Sequence, residues 1–500
     1  MIFFIKIKDK FLSLWGESEA LGKKVARGGV LIFIGRFAVK SIYFVKTIIL
    51  ARLLFPNDFG LFGMAALAIG ITDTLFQTGF NSAIVQHKDE VDKHLNSAWT
   101  YGLLRNLFVS LLMFFIAAPL AGKFFNNGTV VVFVRVLALP VFIVGFENIG
   151  IVLLQRNLQF NKKIFFDITS VIGEVVFTIG AAVIFRNAWA LVIGSIANRF
   201  FMVIFSYIFH PYRPKFNLDL EGAKHLFRYG RWISLVSIIT FLVGQGDNIT
   251  VGKLLGARDL GFYQLSFTLG MLPAMEFARV LGTILFPLFS KIQNDRRLLR
   301  TSFVRVMRII FALIIPASTG LFALAPEIVR FVYGERWAPM VPILRVIILL
   351  GFLKSFEQVI TPLFLGVGKP KINLYILIFQ SIIMFSLIIP LTKAHGPVGT
   401  GWAVVISTLA SQLAMLLMVR KEINLGLKGF FEIFKLAVLA SGLMYISIFY
   451  LKKMIAIDNL AIFLSFIFSG AAAYALFIFT LDRIFGRKIF NSLNWIKKSI

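Results

Sequence analysis

The chain contains no cysteine in 500 residues, which excludes a disulfide framework, a thiol nucleophile and a cysteine metal site. Histidine is nearly as scarce. The five histidines, His87, His94, His210, His225 and His395, are scattered through loops and segment ends, so no metal or cofactor site is expected. The phosphate-cradling pattern Gly-x-x-x-x-Gly-Lys-Ser/Thr is absent, which removes ATP as the direct energy source. Charge is sparse as well: only 15% of residues are Asp, Glu, Lys or Arg, where a soluble domain needs about 25% to cover its surface.

What fills the chain is apolar. Hydrophobic residues make up 58% of the sequence, and fourteen apolar stretches of about 20 residues run from 28–50 to 460–481. Each is long enough to cross about 30 Å of hydrocarbon. No cleavable signal pattern precedes them. The expected fold is an all-α integral membrane protein with about 14 transmembrane helices.

The net charge of +28 could point to nucleic acid, but its distribution does not. With the N-terminus placed inside, loops on that side hold roughly 29 Lys and Arg against about 10 on the other, the asymmetry that orients membrane proteins. Clusters such as Arg156-Lys162-Lys163 and Arg420-Lys421-Lys428 then face anionic headgroups. Both termini are expected in the cytoplasm, with membrane lipids and no nucleic acid as partners.

An internal repeat organises the whole. Ala51-Arg-Leu-Leu-Phe-Pro-Asn-Asp-Phe-Gly60 returns as Gly252-Lys-Leu-Leu-Gly-Ala-Arg-Asp-Leu-Gly261, an offset of 201. Ala118-Pro119 returns as Ala325-Pro326, Arg135 with Glu147 as Arg345 with Glu357, and Trp189-Ala190 as Trp402-Ala403, with the offset drifting to 207, 210 and 213. Six segments per copy is an even number, so the copies are parallel and flank a central cleft. The expected organisation is an amphipathic N-terminal segment (1–27), a six-helix half (28–209) and a cytoplasmic linker (210–228). A second half (229–420), two unrepeated helices (421–482) and a basic cytoplasmic tail (483–500) follow. Within the hairpins, Arg52 and Lys253 are expected at helix ends and Asp58 and Asp259 as N-caps.

Charged side chains inside spanning segments are costly and mark substrate or ion paths by default. Arg36 and Lys40 share one face of the first segment; with Arg199 and Arg279 they form the candidate set for binding an anionic group such as a phosphate. Lys46, Asp73, Asp247 and Glu276 are candidates for coupling or gating. Lys46 and Asp247 occupy equivalent positions with opposite charge, as an outer gate would require. Arg135, Glu147, Arg345 and Glu357, recurring at equal spacing in the two halves, are candidates for structural ion pairs. Gly244-Gln-Gly-Asp-Asn248 is expected to interrupt the seventh helix.

The stretch Arg52-Leu-Leu-Phe-Pro-Asn-Asp-Phe-Gly-Leu-Phe-Gly-Met64, followed by Gln77-Thr-Gly-Phe-Asn-Ser-Ala-Ile-Val-Gln-His-Lys-Asp89, resembles polysaccharide biosynthesis transporters related to the flippases of O-antigen, colanic acid and teichuronic acid export. These belong to the multidrug/oligosaccharidyl-lipid/polysaccharide exporter superfamily. The resemblance implies translocation of a polyprenyl-pyrophosphate-linked oligosaccharide across a bacterial inner membrane, with helices 1, 2, 7 and 8 facing the cavity and a glycan polymerase and export machinery as candidate protein partners. Two rivals are a multidrug exporter coupled to a cation gradient and a membrane glycan polymerase or ligase. The cationic first segment disfavours the former; the lack of any long external loop disfavours the latter.

Overall fold

A computed structural model describes residues 19–76, 91–157, 159–217, 220–273, 285–486 and 489–492, and every regular element among them is a helix. Hydrocarbon leaves the backbone no water to bond, and a helix pairs its N–H and C=O groups within one segment. Nine helices among the described residues are long and apolar enough to cross a membrane. The chain divides into two compact units, Met1–Gly261 and Phe262–Ile500.

The first unit begins with the 35-residue helix α1, Glu19–Leu53, and turns through a hairpin into α2, Pro56–Leu75. Helix α3, Val91–Leu112, passes through a π-helical turn at Met113–Ala117 into α4, Ala118–Phe125. Asn126, at φ 52°, ends it, and the Asn127 side chain accepts the Thr129 N–H at 3.0 Å to start α5, Gly128–Val144. The short α6, Ile151–Arg156, precedes α7, Phe160–Phe185, and α8, Trp189–Phe209. Two expectations are corrected here. The fourth apolar stretch is broken at Gly145–Gly150, whereas α9, Leu220–Leu255, runs unbroken through Gly244–Asn248. Gly, Asp and Asn disfavour helix by only about 0.5–1 kcal/mol each, less than opening backbone pairs in an apolar setting.

The hairpins are built differently from expectation. Phe55, not Asp58, caps α2; Asp58 is its third residue and accepts the Phe55 N–H at 2.9 Å and the Ala188 N–H at 3.1 Å. One carboxylate thus ties the start of α2 to the turn between α7 and α8. Asp259 holds the matching third position of α10, Ala257–Gly270. A Cβ at Gly60 would collide with the Ala257 carbonyl oxygen, and a Cβ at Gly261 with that of Pro56. Since 60 and 56 map onto 261 and 257, the two copies touch reciprocally through glycine.

The second unit continues with α11, Arg296–Ala323, a π-helical turn at Val329–Tyr333 and a 3-10 turn at Glu335–Met340 that leads into α13, Val341–Gly366, after the one-turn α12, Ala325–Ile328. The π-turns of both units adjoin the repeated Ala-Pro pairs, Ala118-Pro119 and Ala325-Pro326. Helix α14, Pro370–Ile423, holds two spans joined at Gly396, whose φ of 60° and ψ of −145° suit a residue without Cβ. Phe311 anchors the core, with ring centroids 4.4 Å from Phe356 and 4.8 Å from Phe434. Phe434 belongs to α15, Leu427–Met454; with α16, Leu460–Ile484, it packs on this unit, helped by Lys452–Glu327 at 2.6 Å.

Candidate functional site

Inside the first unit lies a cavity of about 760 Å³, walled by α1, α2, α3, α5, α7 and α8. Its charged lining is Asp73, Arg105, Glu147, Glu174 and Arg199, joined by Tyr43, Asn106, Asn148 and Asn198. A cavity this polar at membrane depth can hold water or a hydrophilic group.

Glu174 on α7 carries one wall. Its Oε1 receives the Lys46 ammonium at 2.5 Å, and its Oε2 receives the Tyr43 hydroxyl and the Asn198 amide, both at 2.7 Å. The Lys46 Nζ also lies 4.6 Å from the Tyr43 ring centre. The other wall is held by Arg105 of α3, which binds Asp73 at 2.5 Å and donates to the Asp73 and Phe76 carbonyls and to Asn106.

The break in the fourth stretch supplies the floor. Glu147 lines the cavity, while the next residue, Asn148, is fully buried and clasps the segment after α8. Its amide donates to the carbonyls of Tyr212 at 2.6 Å and His210 at 3.2 Å, and its backbone N–H to Ser206 Oγ. Asn96 and Thr100 of α3 hold Tyr212, Lys215 and Asn217 of the same segment. Residues 210–217, expected as linker, form no regular element but are held by these hydrogen bonds, and α9 begins at Leu220. Burial, with Lys162 and Arg213 nearby, holds the His210 imidazole below its ordinary pKa.

Of the four residues expected to bind an anion, Arg199 lines this cavity. Arg36 is exposed on α1, Lys40 is half-buried there, and Arg279 lies outside the described residues. Of the coupling candidates, Asp73 meets Arg105, Lys46 meets Glu174, and Glu276 lies outside the described residues. Asp247 is buried and accepts the Asn248 N–H at 2.7 Å. Of the four candidates for structural ion pairs, Glu357 takes Lys354 at 3.1 Å, whereas Arg135 lies over Phe114 at 5.4 Å and Arg345 over Phe322 at 5.3 Å. Sequence reasoning missed Asn148 and Asn198, because an isolated Asn carries no pattern; Glu174, a carboxylate inside an apolar stretch, was the available signal.

Residues 49–342 match the model of a family described as polysaccharide biosynthesis protein. The chain belongs to this family. Among its relatives is the lipopolysaccharide biosynthesis protein WzxC of Escherichia coli K12, 26% identical over 79% of this chain and 82% of that one. The teichuronic acid biosynthesis protein TuaB of Bacillus subtilis is 21% identical over 83% and 86% of the two chains. The fold is that of a solved lipid II flippase MurJ in an inward closed conformation, with TM-score 0.70 and 19% identity over 91% of this chain and 99% of that one. An inward-facing multidrug resistance MATE transporter follows at TM-score 0.61 and 17% identity, over 78% of this chain and 98% of that one. This polysaccharide biosynthesis family member is thus a multi-pass membrane protein with a transporter fold.

Proposed function

We infer that the protein is a flippase that moves a polyprenyl-pyrophosphate-linked oligosaccharide across the bacterial plasma membrane for surface polysaccharide synthesis. It works as a transporter, not as an enzyme. The observation that carries this reading is a hydrophilic cavity inside a membrane-spanning unit of a polysaccharide biosynthesis family member. Sugars need hydrogen-bonding partners at membrane depth, and Asn106, Asn148, Asn198 and the cavity charges supply them. Arg36, Lys40, Arg199 and Arg279 are assigned to the pyrophosphate, whose oxygens suit guanidinium and ammonium donors. Asp73, Asp247, Glu276 and Lys46 are assigned to coupling and gating. The excess of Lys and Arg on alternate loops supports cytoplasmic termini, and a glycan polymerase and export machinery are the protein partners this role would require.

The decisive measurement is lipid-linked glycan in a deletion strain, with its leaflet assigned by an impermeant probe. Accumulation in the inner leaflet, reversed by the intact gene, is expected. Unchanged glycan lipid together with loss of cationic dye efflux would favour a multidrug exporter instead.

A further inference from the structure

Arg135 and Arg345 share an environment that the repeat duplicates. On α5 the outward stripe includes Val132, Arg135 and Leu139; on α13 the residues 210 positions later are Pro342, Arg345 and Leu349. Val132 and Leu139 are each 46% exposed and Leu349 is 39% exposed, so each arginine interrupts an apolar face turned away from its own bundle. The opposite face of α5, with Leu137, Pro140 and Val141, lines the cavity. Arg135 has no part in that cavity.

Each guanidinium lies over a phenylalanine of the preceding helical segment, Phe114 in one unit and Phe322 in the other. The ring covers one face of the guanidinium, whose N–H groups project from the plane's edge rather than toward the ring. Neither arginine has a carboxylate within salt-bridge distance among the described residues, and the buried Nε of Arg345 has no acceptor. Arg135 stands seven residues past Gly128 in α5, about 10 Å from that helix end. Arg345 stands one turn into α13, behind the 3-10 turn Glu335–Met340. At that depth an arginine side chain reaches the headgroup boundary while its stem stays in hydrocarbon.

We propose that Arg135 and Arg345 are two repeat-related sites for the headgroup phosphate of an anionic phospholipid. The planar fork binds two phosphate oxygens at once, and the flanking Val132, Leu139, Pro342 and Leu349 accept the acyl chains. A bound membrane phospholipid fits better than the transported lipid for two reasons: the stripe on α5 faces away from the cavity, and there are two equivalent copies. The sites would anchor each unit at one depth in the bilayer.

The test is native mass spectrometry of the full chain in mild detergent with added phosphatidylglycerol. The Arg135→Gln, Arg345→Gln variant should retain two fewer tightly bound phosphatidylglycerol molecules than the parent, and each single variant one fewer. Phe114→Leu and Phe322→Leu, which keep the charge but remove the ring, should weaken retention several-fold. If the glutamine variants are not recovered folded, Arg135→Lys with Arg345→Lys keeps the charge but not the fork, and several-fold weaker retention is again expected. Equal lipid counts in parent and variants would overturn the proposal. So would loss confined to a polyprenyl-pyrophosphate lipid with phosphatidylglycerol unchanged, which would move these arginines into the transport path.

Discussion

At the scale of single residues, the Glu174 carboxylate is held by one ammonium and two neutral donors in a largely buried place. Removing one partner of such a pair leaves an uncompensated charge, which typically destabilises by about 3–5 kcal/mol, whereas replacing both is far milder. Lys46→Met should therefore lower thermal stability in detergent by more than the Lys46→Met, Glu174→Gln double variant does; equal losses would show that the pair is not coupled. His210 gives a second test. Its imidazole is held below its ordinary pKa, so the folded chain favours the neutral ring. That contribution is full above about pH 6.5, the ordinary value, and is lost as pH falls through the lower folded value. Thermal stability should fall between pH 7 and 5 more steeply in the parent than in His210→Gln.

At the scale of elements, the reciprocal contact of Gly60 with the Ala257 carbonyl and of Gly261 with the Pro56 carbonyl leaves no room for a methyl group. Gly60→Ala and Gly261→Ala should each destabilise by about 1–3 kcal/mol, the range for overpacking. Gly102→Ala, with no atom within 4 Å of its Cβ, is the control and should be neutral or stabilising. Thermal melts of the three variants decide it. The same hairpin explains why Asp58 recurs: at the third helical position its carboxylate serves both Phe55 and Ala188, so Asp58→Ala frees two backbone donors rather than one.

At the scale of the whole molecule, the proposed transport role makes Lys40 on α1 the most informative basic residue. Lys40→Ala is expected to abolish glycan export at unchanged membrane abundance, and Lys40→Arg to retain part of it, because charge is kept while geometry changes. Full export by Lys40→Ala would remove Lys40 from the substrate path. Gating adds a second measurement. Lys46 sits on Glu174 here, so a gate contact with Asp247 requires it to change partners during transport. Since the chain has no cysteine, Lys46→Cys with Asp247→Cys can be cross-linked without background. A cross-link that blocks export supports the exchange, and its absence under every condition removes it.

The apolar stretches, the scarcity of charge and the repeat were legible in the sequence because they follow from one constraint: hydrocarbon rejects exposed backbone and isolated charge over about 20 residues at a time. Helical class, membrane residence and the hairpin ends at Arg52 and Lys253 follow from it directly. Which charges meet which does not, because a partner is chosen by packing between helices that lie far apart in the chain. Lys46 and Glu174 are separated by 128 residues and Arg105 and Asp73 by 32, and no local pattern links either pair. Equal spacing in both halves marks Arg135, Glu147, Arg345 and Glu357 as a recurring set but names no partner for any of them. Only the tertiary structure, by turning both arginines onto phenylalanine and breaking the helix at Gly145, decided that Glu147 belongs to the cavity and Arg135 to the outward face.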